Sequence, residues 1–240
     1  MTEEKQPGLP TIDVNEYGGK KDGVRQSLNR RLFMQLLVFE YPHDGGHIAA
    51  DLTSAKIPAV VYADTSSPRG YGVLTWSEDP AHFVTHVRPV LAKLPDARFR
   101  DDFAMLGRTY STGHEPELEF SLLDRAIKNV SNEELPWHVW YPLRRSGDFM
   151  KVEPIEQSHM MREHAAIGMA YGAQALAHDV RLACHGLDAK DNEFVIGIVA
   201  HDLHPISHLV QAMRKTRQTA EFIIQMGPFF VGHVIARVRV

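Results

Sequence analysis

Fourteen histidines in a chain of 240 residues are the first chemical signal, clustered at 43–47, 82–86, 159–164 and 201–208. The richest stretch is SHMMREHAAIGMAYG (158–172). His159 and His164 are five apart, and five helical residues turn through about 140°, so the two imidazoles leave on different faces and share no ion. Met160, Met161, Ile167, Gly168 and Tyr171 surround His164 at helical spacing, whereas His159 keeps company with Gln157, Arg162 and Glu163 and faces water. Two readings of His164 follow from this. It is either a core histidine bonded to a backbone carbonyl or a single axial ligand to haem iron, with Ala165, Ala166 and Gly168 letting a flat ring approach the backbone. No Cys-x-x-Cys-His motif occurs, so such a haem is non-covalent. His201, His204 and His208, spaced i, i+3, i+7, suit zinc or nickel. They lie at a helix start beside Asp202, where capping and exposure explain them more simply.

The strand before that helix carries a second chemical element. In WHVWYPLRR (137–145), alternation puts Trp137, Val139, Tyr141, Leu143 and Arg145 on one face. That face offers aromatic rings, a phenol and a terminal guanidinium suited to a carboxylate. A core tyrosine with a solvated arginine at the strand end is the simpler alternative.

These residues need elements to position them. Strand-length and helix-length runs alternate: strand 31–42, helix 47–57, strands over AVVYAD and YGVLTWSE, helix 79–94 opened by an Asp cap with Pro behind it, strand 103–111. The order recurs over 137–240, with a helix over 154–176, strands over 180–187 and 193–202, a helix over 204–223 and a closing strand. FEYP and VWYP end the first strand of each half, one hundred residues apart. The spacing predicts an α+β fold of two ferredoxin-like βαββαβ halves. Each sheet has a bare apolar face that needs a partner, so the two close face to face into one dimeric α+β barrel, leaving a ligand pocket between sheet and helices. The expected divisions are a flexible tail over 1–26, a first half over 27–111, a linker over 112–136 and a second half over 137–240.

Composition narrows the partners. The net charge is −4, with no run of lysines or arginines to track nucleic acid. No apolar run approaches the ~18 residues of a membrane span. A single cysteine, Cys184, excludes internal disulfides and four-cysteine metal sites. With an N-terminus unlike a secretory signal, this leads us to expect a cytoplasmic protein that binds a small molecule.

From Tyr141 to Val234 the chain resembles the chlorite dismutase superfamily, which includes chlorite dismutases and coprohaem decarboxylases. The carrying residues are YPLRR (141–145), Pro154 with His164 ten residues later, REHAAIGMAYG (162–172), HGLDAKDNEF (185–194), AMRKTRQTAEF (212–222) and GPFFVGH (227–233). The resemblance implies a non-covalent haem b or iron coproporphyrin III in the C-terminal half, hydrogen peroxide or chlorite as co-substrate, and a homo-oligomer, a ring of five by family likeness.

Residue by residue, the resemblance makes His164 the proximal ligand, with Gly168 beside the ring. It puts Tyr141 on the tyrosine that decarboxylases oxidise to a radical, which attacks a propionate side chain so that carbon dioxide leaves and a vinyl group remains. Arg145 stands where a lysine holds that propionate, and Thr219 where a hydroxyl does. The distal position counts to Asp179, with Arg181 on the same strand face and His178 and His185 as further candidates. Phe149 and Met150 replace a tryptophan pair. Arg217 and Gln218 stand where the carboxylate partner of the proximal histidine is expected, which weakens support for a high-valent iron.

Tyr141, Arg145 and Thr219 together favour a coprohaem decarboxylase. A chlorite dismutase or peroxidase-like enzyme follows if Arg181 points at the iron, and a non-catalytic haem carrier or sensor follows from the altered proximal partner. The parts played by Arg125 and Lys128 are open at this point.

Overall fold

The computed structural model describes residues 9–239. It opens with a hairpin, β1 (Glu16–Lys21) and β2 (Val24–Leu28), turned at Asp22 and Gly23, whose φ values are 52° and 81°. The flexible tail expected over 1–26 is therefore corrected from residue 16 onward, while residues 1–8 lie outside the described residues. Long-range polar contacts hold the hairpin. Gln26 Nε2 donates to the carbonyls of Gly19 (3.1 Å), Glu115 (3.2 Å) and Pro116 (2.9 Å), and Gly19 N donates to Glu115 O at 2.9 Å.

The first half contains β3 (Phe33–Glu40), α1 (Gly45–Ser54), β4 (Ala59–Asp64) and β5 (Gly70–Ser77). A π-helical turn (Phe83–Val87) running into α2 (Arg88–Leu91), then β6 (Arg98–Phe99) and β7 (Met105–Arg108), complete it. The connecting stretch carries α3 (Arg125–Val130). The second half has β8 (Trp137–Arg145), α4 (Pro154–Ala173), β9 (His178–Ala183) and β10 (Phe194–Ala200). It ends with α5 (Leu203–Met213), α6 (Arg217–Phe222), β11 (Ile223–Met226) and β12 (Phe230–Val238). The single helix expected over 204–223 is two. Thr216 takes an extended conformation (φ −67°, ψ 147°) and its hydroxyl donates to Met213 O at 2.8 Å, a side-chain bond that competes with helix continuation.

Sheet order is β7-β3-β5-β4 in one half and β12-β8-β10-β9 in the other, the same ferredoxin-like order twice. The halves join where β12 pairs β4, and again where β9 meets β7 at Arg108 and Ala183, so the sheet closes. Alternation then separates an inside from an outside. Trp140, Tyr62, Phe230, Met34 and Leu74 fill the barrel, all nearly inaccessible, and each such side chain contributes about 1.5–3 kcal/mol. Outside, α1 and α2 cover Phe39, Val61 and Val73, while α4 and α5 cover Val139, Tyr141 and Ile198. Among the described residues no helix is long and apolar enough to cross a membrane.

Candidate functional site

β8 supplies the floor of the site. His138 and Trp140 point into the barrel, and Trp137, Val139, Tyr141 and Leu143 join the helix-covered layer, as alternation in WHVWYPLRR requires. Register places Tyr141 opposite Ile196 on β10 and Ile196 opposite Arg181 on β9, so one row across three strands ends in a phenol at one side and a guanidinium at the other. The Tyr141 ring stacks on Phe229, with centroids 4.5 Å apart at 24°. Burial raises its phenol pKa above the usual value, with nearby Arg214 opposing, so Tyr141 stays protonated at neutral pH.

His164 comes down onto this layer from the middle of α4. Burial lowers its pKa, and the charge of Arg181 lowers it further. Its Nδ1 makes a long contact of 3.5 Å with Thr216 Oγ1. The Thr216 hydroxyl proton goes to Met213 O at 2.8 Å, so Thr216 accepts from Nδ1–H and Nε2 is left as a lone pair. Thr219 Oγ1 lies 3.2 Å from Thr216 Oγ1. α4 rests lightly on the sheet, with Met160 its only fully buried residue. One turn beyond His164, a Cβ on Gly168 would meet nothing nearer than Met213 Cε at 3.6 Å. A cleft of about 430 Å³ opens between the end of α4 and the start of α5, beside Tyr171 and His208.

Arg145 lies on the same floor. Its guanidinium sits 4.1 Å from the Phe149 ring centroid and 5.5 Å from that of Phe194, and its Nε is 3.4 Å from Glu193 Oε2. Asp179 and Arg181 face this layer, whereas Val180 and Leu182 face the barrel. His178 shares the parity of Val180 and turns away from the helices. His185 is exposed beyond the end of β9, its ring edge against Phe194. Of the four distal candidates, only Asp179 and Arg181 look into the helix-covered layer. Met150 is exposed, while Phe149 packs on Arg145 and Phe222.

The carboxylate partner expected near 217–218 is absent on both counts. Arg217 reaches outward to Glu156 and Glu221. Gln218 is buried, with Oε1 unpartnered among the described residues. The outlying histidines do not assemble: His201 pairs with Asp202 at 3.1 Å, His208 bonds to the Tyr171 hydroxyl, and no group of three possible metal-ligating side chains exists among the described residues.

Tyr110 belongs to this region although its sequence context did not single it out, as do Phe194, the last residue of HGLDAKDNEF, and Arg125, whose part the sequence left open. Tyr110 follows β7, lies 5.7 Å from the Phe194 ring and has its phenol pKa raised by burial. Arg125 reaches from α3 to the Asp179 carboxylate. Tyr110 and Arg125 arrive from outside the second half, so no local pattern places them in the site. Lys128 instead sits over Phe120.

A family model described as chlorite dismutase matches residues 108–235. The chain belongs to the chlorite dismutase family. The match begins at the end of β7 and takes in Tyr110, Arg125 and all of the second-half site. Many solved structures share the fold, three of them as follows. A putative chlorite dismutase is 14% identical with a TM-score of 0.67, covering 86% of this chain and 96% of its own. A double mutant of the chlorite dismutase from Candidatus Nitrospira defluvii is 12% identical at 0.65, covering 87% and 93%. A heme-binding protein from Thermus thermophilus is 15% identical at 0.65, covering 87% and 92%. No curated protein matches the sequence.

Proposed function

We propose that this chlorite dismutase family member is a peroxide-dependent coprohaem decarboxylase, with the porphyrin held between α4 and the outer face of β8, β10 and β9. The observation that carries the proposal is that α4, the helix bearing the half-buried His164, packs through Ile167 and Tyr171 on the same layer as the buried, protonated phenol of Tyr141. The surroundings fit a porphyrin. α4 is underpacked, Gly168 puts no side chain between its helix face and Met213, and Gln218 presents a buried amide oxygen with no donor among the described residues.

In this reading His164 Nε2 would hold the iron, being already free of a proton, and Thr216 would orient the ring through Nδ1. Arg145 and Arg181 meet propionates, with Thr219 as a hydroxyl donor. Iron coproporphyrin carries more propionates than haem b, and a floor edged by guanidiniums suits the more acidic ligand. Bound, the iron porphyrin supplies the oxidising power taken from peroxide. Burial keeps the Tyr141 phenol protonated, so it would hold a proton available beside that group, and stacking on Phe229 fixes its ring. The family resemblance to enzymes such as chlorite dismutases supports catalysis in general.

The test is to mix apoprotein with iron coproporphyrin III, add peroxide stepwise and follow product mass. We expect successive losses of carbon dioxide, with Tyr141→Phe binding the porphyrin but losing turnover, and His164→Ala losing the iron-ligand spectrum. Unchanged turnover in Tyr141→Phe removes that residue from the mechanism. A second reading has one observation in its favour: His164 leans on a threonine hydroxyl, and among the described residues no carboxylate hydrogen-bonds to it. Binding without decarboxylation would point to a haem carrier, and oxygen release from chlorite by the protohaem-loaded protein would point to a dismutase using Arg181.

A further inference from the structure

The helix that joins the two halves reaches into the site. Asn129 Nδ2 on α3 donates to the carbonyl of Asp179 at 3.0 Å, and Arg125, one turn earlier, donates from Nη2 to Asp179 Oδ1. Residues four apart share a helix face, so one face of α3 grips residue 179 by both its backbone and its carboxylate. The other carboxylate oxygen, Oδ2, faces Arg181 Nε at 2.9 Å. Two guanidiniums thus share one carboxylate. The side chains of Arg125, Asp179 and Arg181 are 35%, 36% and 38% exposed, so the chain is open to an incoming ligand.

We propose that Arg125 and Asn129 are positioning residues that make Asp179 a latch on Arg181, releasing that guanidinium to an anion in the site because Arg125 keeps the vacated carboxylate paired. The anion is an oxyanion or carboxylate, either a small ligand or a porphyrin propionate, and the inference rests on the reading of this face as the porphyrin site. Two positive charges against one negative leave a surplus that an anion satisfies. Without Arg125, release would leave the half-exposed Asp179 carboxylate with no cation partner among the described residues. Without Asp179, Arg181 has nothing to leave.

The signs of the variants separate a latch from a strut. Arg125→Met ties Arg181 more tightly to Asp179 and should weaken anion binding about tenfold. Asp179→Asn should strengthen it severalfold, and the double variant should return to at least the wild-type value. The probes are nitrite with the iron-coproporphyrin-loaded protein and metal-free coproporphyrin III with the apoprotein. A response to nitrite alone assigns a small ligand, and a response to the porphyrin alone assigns a propionate. Asn129→Ala should give the sign of Arg125→Met at smaller amplitude, covering a failure of that variant to fold. In the apoprotein, exchange of the Arg181 Nε proton should slow in Arg125→Met and quicken in Asp179→Asn, a readout that survives even if the protein takes no porphyrin and the functional proposal falls. A double variant weaker than Arg125→Met, or an Arg181 proton indifferent to both changes, overturns the latch.

Discussion

His138 and His164 put one side-chain type to opposite uses. Inside the barrel, His138 Nε2 lies 3.0 Å from Leu135 O and so carries the proton, leaving Nδ1 to accept from the Tyr62 hydroxyl at 2.8 Å. Burial, reinforced by Arg237, pushes its pKa down to about 3. An unfolded histidine titrates near ~6.5, so between those values the unfolded chain binds the extra proton. Stability present above about pH 6.5 is therefore lost as pH falls through that window, at up to ~1.4 kcal/mol per unit. Urea midpoints measured from neutral pH downward should reveal this slope, and it should shrink in a Tyr62→Phe, His138→Leu double variant, which removes both partners together. An equal slope in that variant would clear His138 of the effect. Tyr62→Phe alone strands a buried nitrogen and should cost roughly 1–3 kcal/mol. His164 is held neutral by similar physics but at the helix layer, with a free lone pair in place of a second bond.

At the scale of elements, two glycines divide structure from site. A Cβ on Gly197 would come within 2.5 Å of the Trp140 ring directly across the β8–β10 ladder. Gly197→Ala should therefore cost about 1–3 kcal/mol by overpacking, read as a lower denaturation midpoint and a shifted tryptophan emission. A Cβ on Gly168 would make only an ordinary contact, with the flexible end of Met213 at 3.6 Å, so Gly168→Leu should leave the apoprotein midpoint nearly unchanged while lowering porphyrin affinity by about tenfold, or ~1.4 kcal/mol. A porphyrin affinity equal to wild type would place the ring elsewhere. This division also marks what the sequence makes legible. β8 and α4 could be read because their patterns are local: strict alternation in one, a lone histidine among small and apolar residues in the other. The β1–β2 hairpin could not, since EYGGKK and VRQSL lack an apolar alternation and depend on Gln26 reaching carbonyls about ninety residues away. The break between α5 and α6 was hidden for a related reason, because it is a threonine's own hydroxyl that competes with the helix. Arg125 and Tyr110 enter the site only once the barrel has closed, which no spacing within either half encodes.

On the scale of the whole molecule, the two seams that close the barrel are unequal. β12 and β4 pair from Gly232 opposite Asp64 to Val238 opposite Ala59, whereas β7 and β9 share a single registered pair, Arg108 with Ala183. The weaker seam is the one beside the proposed site: β9 carries Asp179 and Arg181, and Tyr110 follows β7. Polar grips from α3, through Arg125 and Asn129, stand in for the missing ladder. Strand pairing sets the depth of local protection, so opening should begin where backbone bonds are fewest. Hydrogen exchange followed by mass should therefore find 178–183 exchanging well before 59–64 in the apoprotein, and Arg125→Met should widen that gap. If the porphyrin lies between α4 and this sheet face, adding it should slow exchange across both 154–173 and 178–183 while 59–64 stays as it was. Protection appearing at the β4–β12 seam would move the ligand to the other half of the barrel, and an apoprotein with equal exchange at both seams would mean that α3 already makes up the full deficit.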